Sequence, residues 1–341
     1  MARRRAFLLG GSGQTGRALI PRLRERGWEV VVASRDERAV PEGVEHVRVD
    51  RADTAALKQA LGDGADVLVD FVAFEREHAE QLLSLGGLVR SLVVLSSAAV
   101  YFEADGPRLE SAGESSFPRL PVPLSERSRT APPGPETYAT KKAAIEQALL
   151  GQNDLPATLF RAGAIHGPWS SWAREWHFVK RALDGRRAIV LAYHGESRFH
   201  PISVHNLAEL IWLAAERPGK RVLNAGDPDP PTVLEISRSI AATLDRDWAE
   251  VLIGEPVGEV GDTFWSTPHP VVLDMNEAEF ELGYRPVTTY GQAVPETVRW
   301  LVEVTKERPW QEVMPRAAEY MQNSFDYAAE DEFLRGLPTT R

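Results

Sequence analysis

Between a short apolar run, RAFLL, and the helical stretch that follows it stands the string GGSGQTG, with Gly10, Gly13 and Gly16 three residues apart. No other feature of the chain constrains its fold as much. A strand that ends in such a turn and opens at once into a helix needs residues without Cβ for three reasons. They allow the tight turn, the close approach of backbone to a pyrophosphate, and the packing of helix on strand. The N–H groups that open a helix have no acceptor within it and face the anion. Gly10, Gly13, Gln14, Thr15 and Gly16 are therefore the expected dinucleotide-binding residues.

The surrounding pattern agrees. Apolar runs read as strands at Ala6 to Gly10, Glu29 to Ser34, Glu45 to Val49, Val67 to Val72 and Ser91 to Ser97. Helical stretches near Ser12 to Arg26, Thr54 to Leu61 and His78 to Leu85 separate them. Strands joined through helices become parallel neighbours in one sheet with helices on both faces, so the expected fold class is α/β, a doubly wound parallel (Rossmann) sheet. Pro21 lies inside the first helix, where a missing hydrogen bond is expected to bend or weaken it. From Phe102 to Pro135, Pro, Ser, Glu and Arg follow one another without periodicity, as in a long surface loop of the kind that serves as a lid. A helix at Glu136 to Leu150 and a strand at Ala157 to Ala162 come next.

Helices are expected again near Trp176 to Leu183, Val204 to Glu216 and Thr232 to Leu244. A helical tail from Thr305 carries Asp326, Glu330, Asp331 and Glu332. The 341 residues suggest about two domains. Residues 1–165 form the expected dinucleotide-binding domain, and residues 166–341 a smaller substrate-binding region with some elements returning to the first.

Composition removes several function classes. The chain has no cysteine, which excludes disulfides, thiolate catalysis, cysteine-ligated zinc and iron–sulfur clusters. No apolar run approaches the ~18 residues of a membrane span, and the opening MARRRAFLLGGSG is too short in apolar residues for a secretory signal, so a cytoplasmic location is expected. A net charge of −10 gives no general attraction to nucleic acid. His194, His200 and His205 lack metal-ligand spacing, and no metal is expected. Two near misses also fail. Arg17 and Ala18 stand where a P-loop needs Lys and Ser or Thr, and Gln14 stands where a nucleophile elbow needs glycine.

The second strand ends in Ser34 and Arg35. A carboxylate there would accept hydrogen bonds from the ribose hydroxyls of NAD, whereas Ser and Arg suit a 2′-phosphate. NADP is therefore favoured over NAD. Asp50, after the third strand, is a candidate for the adenine, with Asp53 or simple helix capping as alternatives.

Chemistry enters at YATKK, where Tyr138 and Lys142, four apart, share one helical face. A phenol with a pKa near 10 is a poor base at neutral pH. A neighbouring ammonium stabilises its anion, so Tyr138 can exchange a proton with a substrate oxygen while Lys142 assists and holds the nicotinamide ribose. The strand LVVLSSAAVY supplies a hydroxyl at its carboxyl end, Ser96 or Ser97, and Ser97 is the preferred candidate.

Taken together, GGSGQTG, SSAAVY, YATKK and RAGAIHGP resemble the extended short-chain dehydrogenase/reductase family of the NAD-dependent epimerase/dehydratase type, up to about residue 300. The resemblance implies a triad of Ser97, Tyr138 and Lys142 and a nicotinamide cofactor on the glycine turn, with Val72, Ala73 and Ala162 among its neighbours. It also implies a small-molecule substrate, commonly a nucleotide-linked sugar, and a homodimer is one assembly open to such a chain. Arg161 to Pro168 match the strand and loop that close over the cofactor.

Departures narrow the reading. Ala98 and Ala99 replace the acidic pair of the 4,6-dehydratases, which disfavours water elimination, and Ser203 replaces a frequent histidine. The opening half resembles a subgroup that includes chloroplast stem-loop RNA-binding proteins. The expected activity is hydride abstraction from a secondary alcohol carbon, with epimerisation of a nucleotide-linked sugar placed first. An NADPH-dependent carbonyl reductase is the alternative, and a non-catalytic nucleotide-sensing or RNA-binding protein the rival from another class. Trp169, Trp172 and Trp176 read as core filling before substrate stacking, and Arg198 as either a phosphate ligand or a solvated cation.

Overall fold

The computed structural model describes residues 4–35, 40–103, 117–321, 323–325 and 327–338. Asp326 of the acidic tail, residues 104–116 of the expected lid and the first three residues lie outside these. In chain order the elements begin β1 (Arg5–Leu9), α1 (Gln14–Glu25), β2 (Glu29–Ser34), β3 (Glu45–Arg48), α2 (Thr54–Leu61), β4 (Val67–Asp70), α3 (Arg76–Leu83) and β5 (Leu92–Ser97). They continue with α4 (Tyr138–Leu150), β6 (Ala157–Ala162), β7 (Ala164–His166), α5 (Trp176–Leu183), β8 (Ala188–Leu191), β9 (Pro201–Ser203), α6 (Val204–Glu216), β10 (Arg221–Ala225) and α7 (Val233–Thr243). The last are β11 (Ala249–Leu252), α8 (Asn276–Leu282), α9 (Tyr290–Glu307), α10 (Trp310–Val313), α11 (Pro315–Tyr320) and α12 (Ala328–Gly336).

The chain divides into two compact units. The first takes Met1–Ile165, Pro201–Pro228 and Val272–Thr288; the second takes His166–His200, Asp229–Val271 and Thr289–Arg341. The first unit holds a seven-stranded sheet in the order β10-β6-β5-β4-β1-β2-β3, and all its pairings are parallel. Side chains alternate along each strand. Ala6 and Leu8 of β1 join a core with Leu19, Ile20 and Leu23 of α1 and Leu207, Leu210 and Ile211 of α6. Phe7 and Leu9 face the other way, onto Leu57, Leu82, Ile145 and Leu149 of α2, α3 and α4. Each such fully buried aliphatic side chain contributes about 1.5–3 kcal/mol, and this two-sided burial is why the strands carry unbroken apolar runs. Strand order reverses between β1 and β4, and in open sheets of this kind ligands bind beyond the carboxyl ends at that point.

Three expectations need correction. Helix α1 starts at Gln14 with Gly13 as its N-cap, and it runs unbroken past Pro21, which lies on its exposed side. The segment from Phe102 to Pro135 is not all surface: Leu124 and Ala131 are buried. The Leu124 N–H donates to Val272 O at 2.7 Å, and its carbonyl accepts from Asp274 at 2.8 Å. β4 ends at Asp70, so Val72 and Ala73 belong to the turn beyond it. A seventh strand, β10, also returns to the sheet beside β6.

In the second unit α5 packs against α7 and α9, and β8 pairs with β11. Its tail is helical. In α12, Glu330 is buried and accepts from Arg181 at 3.2 Å and Arg186 at 2.8 Å. Trp176 is buried, as expected of core filling, whereas Trp169 is exposed and Trp172 stacks edge-on against Phe264 and Tyr320. Arg198 donates to the Pro230 carbonyl, and His200 is buried. No helix among the described residues is long and apolar enough to cross a membrane, and no group of three metal-ligating side chains occurs among them.

Candidate active site

The candidate residues of the first unit gather along the carboxyl edge of its sheet. Beyond β1 the Gly10 N–H is held by the Ala33 carbonyl at 2.8 Å. A Cβ on Gly16 would lie 2.1 Å from the Gly11 oxygen, so only glycine lets α1 start this close to the turn. Gly13 differs. A Cβ there would meet nothing nearer than the Gly10 oxygen at 3.5 Å, so the chain's own packing leaves the space over it open. Helix α1 has no side-chain cap and no acidic residue in its first turn, and the buried Gln14 Oε1 has no partner among the described residues. An open backbone face and an uncapped helix N-terminus without a nearby carboxylate fit a pyrophosphate.

At the end of β2, Ser34 Oγ lies 2.8 Å from His46 Nε2 on β3. The Arg35 carbonyl accepts from Arg48 at 3.0 Å and its own side chain is exposed. Asp50 is exposed and accepts the Ala52 N–H at 3.0 Å, while Asp53 caps α2 by accepting from Ala56 at 2.9 Å. The capping role weighed for these carboxylates thus falls to Asp53.

Period-two alternation separates the two serines. Ser96 points to the α4 face and donates to Glu146 Oε1 at 2.6 Å. Glu146 in turn pairs with Arg161 of β6, Nη2 to Oε2 at 2.7 Å, and both are buried. Ser97 lies one residue on, in register with Ala162. Its Oγ accepts the Ala99 N–H at 3.1 Å, and among the described residues its proton meets no acceptor. The short turn Ala98–Val100 that Ser97 caps packs against α4.

Helix α4 starts at Tyr138, not Glu136, because Thr137 and Thr140 form a reciprocal cap. Tyr138 is 37% exposed. One turn on, Lys142 is buried, and its Nζ donates to Ala73 O at 2.7 Å and Leu95 O at 2.8 Å, joining the turn after β4 to β5. That Nζ lies 5.7 Å from the centre of the Tyr138 ring. Burial pulls the Lys142 ammonium down to about 8, against the opposing pull of Asp70 and Glu146.

Four residues at this edge escaped the sequence. Asp70, fully buried at the end of β4, pairs with Arg51 at 2.9 Å. Phe74 packs its ring 5.6 Å from that of Tyr138. His78 Nδ1 accepts the N–H groups of Phe74 at 2.9 Å and Glu75 at 3.1 Å. Burial and Arg51 hold His78 below the ordinary histidine value, in keeping with an acceptor ring. The one available signal was an aspartate inside the apolar run VLVDFVAF, since a buried carboxylate needs a partner.

The profile of the NAD dependent epimerase/dehydratase family matches residues 6–226. A 2'-dehydrokanamycin reductase of Streptomyces kanamyceticus is 29% identical over 263 residues, 73% of this chain and 69% of that protein. A 3-diazoavenalumate denitrifying reductase of Streptomyces sp is 24% identical over 249 residues, 70% of this chain and 81% of that protein. Among solved structures, the Thermus thermophilus UDP-glucose 4-epimerase in complex with NAD is similar in fold. Its TM-score is 0.63 at 22% identity, covering 87% of this chain and 98% of that one.

Proposed function

Because this chain belongs to the NAD dependent epimerase/dehydratase family, an NAD(P)-dependent enzyme group of the short-chain dehydrogenase/reductase type, we propose that it is an NADP(H)-dependent oxidoreductase. Its reaction interconverts a carbonyl and a secondary alcohol in a small-molecule substrate. The observation that carries this reading is the placement of Tyr138 over Lys142 at the open sheet edge that also holds the glycine turn. Similarity to two natural-product reductases supports reduction as the working direction.

Gly10, Gly13, Gln14, Thr15 and Gly16 would hold the pyrophosphate, Ser34 and Arg35 a 2′-phosphate, Asp50 the adenine, and Val72, Ala73, Lys142 and Ala162 the nicotinamide half. When bound, the nicotinamide donates or accepts the hydride. The protein's residues manage the proton. Tyr138 gives its phenolic proton to the substrate oxygen as that oxygen gains electron density, and Ser97 donates a hydrogen bond to the same oxygen. Lys142 stabilises the resulting phenolate by Coulomb attraction at short range. Residues 1–165 would serve the cofactor, and residues 166–341, with Pro201–Pro228 and Val272–Thr288 returning to the first unit, the substrate.

Epimerisation is the second reading, favoured by the span of the family match and by likeness in fold to a UDP-glucose 4-epimerase. A nucleotide-linked sugar would then be oxidised and re-reduced without the cofactor leaving. Tyr138→Phe tests the shared core of both readings. Cofactor binding, followed by fluorescence quenching, should be retained while turnover of a ketone panel and of UDP-glucose falls by about 10²–10⁴. Unchanged turnover would refute the assignment. Exchangeable NADPH would favour the reductase, and tightly held cofactor through purification the epimerase.

A further inference from the structure

We propose that Asp70, paired with Arg51, is a positioning residue for Lys142: it fixes the strand end whose Ala73 carbonyl grips the ammonium and supplies the counter-charge beside it. The proposal rests on the reading of Lys142 as the partner of Tyr138, but it can be tested without turnover.

The geometry runs in a short chain of contacts. Asp70 is fully buried. Both of its oxygens accept from Arg51 Nη1, at 3.1 and 2.9 Å, and Oδ1 also takes the Val72 N–H at 2.8 Å. Val72 adjoins Ala73, whose oxygen accepts from Lys142 at 2.7 Å. Arg51 is itself fixed. Its Nη2 donates to Gln81 Oε1 at 3.2 Å, while Gln81 Nε2 donates to the Arg51 carbonyl at 2.5 Å and to Thr54 at 2.9 Å. Period two places Asp70 with Leu68 on the face that α2, α3 and α4 cover, where Lys142 enters.

A buried ion pair is weak evidence for stability, because desolvation of both charges offsets their attraction. Its presence here has a local use. The charged groups that act on Lys142 are Asp70 on β4, Glu146 on its own helix and Arg51 after β3; the Tyr138 ring lies beside it, and His78 on α3 is held toward its neutral form. Glu146 is already committed to Arg161 and Ser96. Asp70 is the strongest acidic influence on a cation whose burial drives it toward losing its proton.

The chain has six lysines, so full-length protein labelled at lysine 13Cε gives few signals, and Lys142→Arg assigns the one of interest. Titration of the wild type should show a midpoint of about 8. Asp70→Asn should lower it by about one pH unit or more. Since that variant leaves Arg51 unpaired and can unfold the chain, a second variant combines Asp70→Asn with Arg51→Gln. It removes both charges together, so no buried charge is left without its partner. Its midpoint should still fall, by less, because Asp70 outweighs Arg51 at Lys142. A folded double variant with an unmoved midpoint overturns the proposal and leaves the catalytic reading intact. Full turnover in Tyr138→Phe with a shifted Lys142 midpoint overturns the catalytic reading and leaves Asp70 in its place.

Discussion

The buried ammonium of Lys142 makes a sharp prediction, because it should move stability and activity in opposite directions. In the folded chain Lys142 titrates at about 8 against an ordinary 10.5. At ~1.4 kcal/mol per pH unit that interval corresponds to about 3 kcal/mol. Below about pH 8 both folded and unfolded chains hold the proton, and the folded chain bears the cost of burying the charge. Between about 8 and 10.5 the unfolded chain keeps a proton that the native chain has released, so stability rises with pH. Tyr101 works against this at higher pH, because burial pushes its phenol up to about 12 and the unfolded chain ionises first. Comparison with Lys142→Met cancels that contribution. Urea unfolding of both proteins from about pH 7 to 10 should show wild-type stability gaining most of about 3 kcal/mol on the variant. Over about pH 7 to 9 the charged fraction of Lys142 falls about tenfold, and wild-type turnover should fall with it. A stability difference that stays flat across that range would refute the reasoning, since it would mean that Lys142 does not titrate there.

Two further outcomes follow from the same geometry. Gly16→Ala forces a Cβ to within 2.1 Å of the Gly11 oxygen, so α1 must shift away from the turn; fluorescence titration should show NADPH affinity reduced at least about tenfold, while far-UV circular dichroism shows a folded chain. Glu146→Gln leaves Arg161 buried without its carboxylate and should cost about 3–5 kcal/mol in urea unfolding, whereas joint replacement with Arg161→Met should recover most of it. A double variant no more stable than Glu146→Gln alone would show that an unpaired buried charge on Arg161 is not the source of the loss.

Much of the first unit was legible in the sequence because its signals are local. β2, α2, β6 and α6 fall at the expected residues, as does α5 of the second unit, since period-two and period-3.6 burial is written directly into the order of side chains. The glycine turn and the Tyr138–Lys142 spacing were legible for the same reason: one helical turn brings those two groups together whatever the rest of the chain does.

Contacts across strands were not legible. Nothing in VLVDFVAF says that Asp70 meets Arg51, nineteen residues earlier in the chain, or that Ala73, in the turn after β4, and Leu95 of β5 present their carbonyls to one ammonium. The sequence preferred Ser97 to Ser96 but named no partner for either, and that Ser96 meets Glu146 followed only from the packing of α4 on the sheet. Leu124, in a segment with the composition of a loop, is buried because residues 272–274 hydrogen-bond to its backbone from far along the chain. The sequence by itself determined the elements and the chemical groups carried on each. Which distant groups share a charge or a carbonyl was decided only by the tertiary structure, because those pairings depend on how parallel strands align side by side, and strand register is not a local property of any of them.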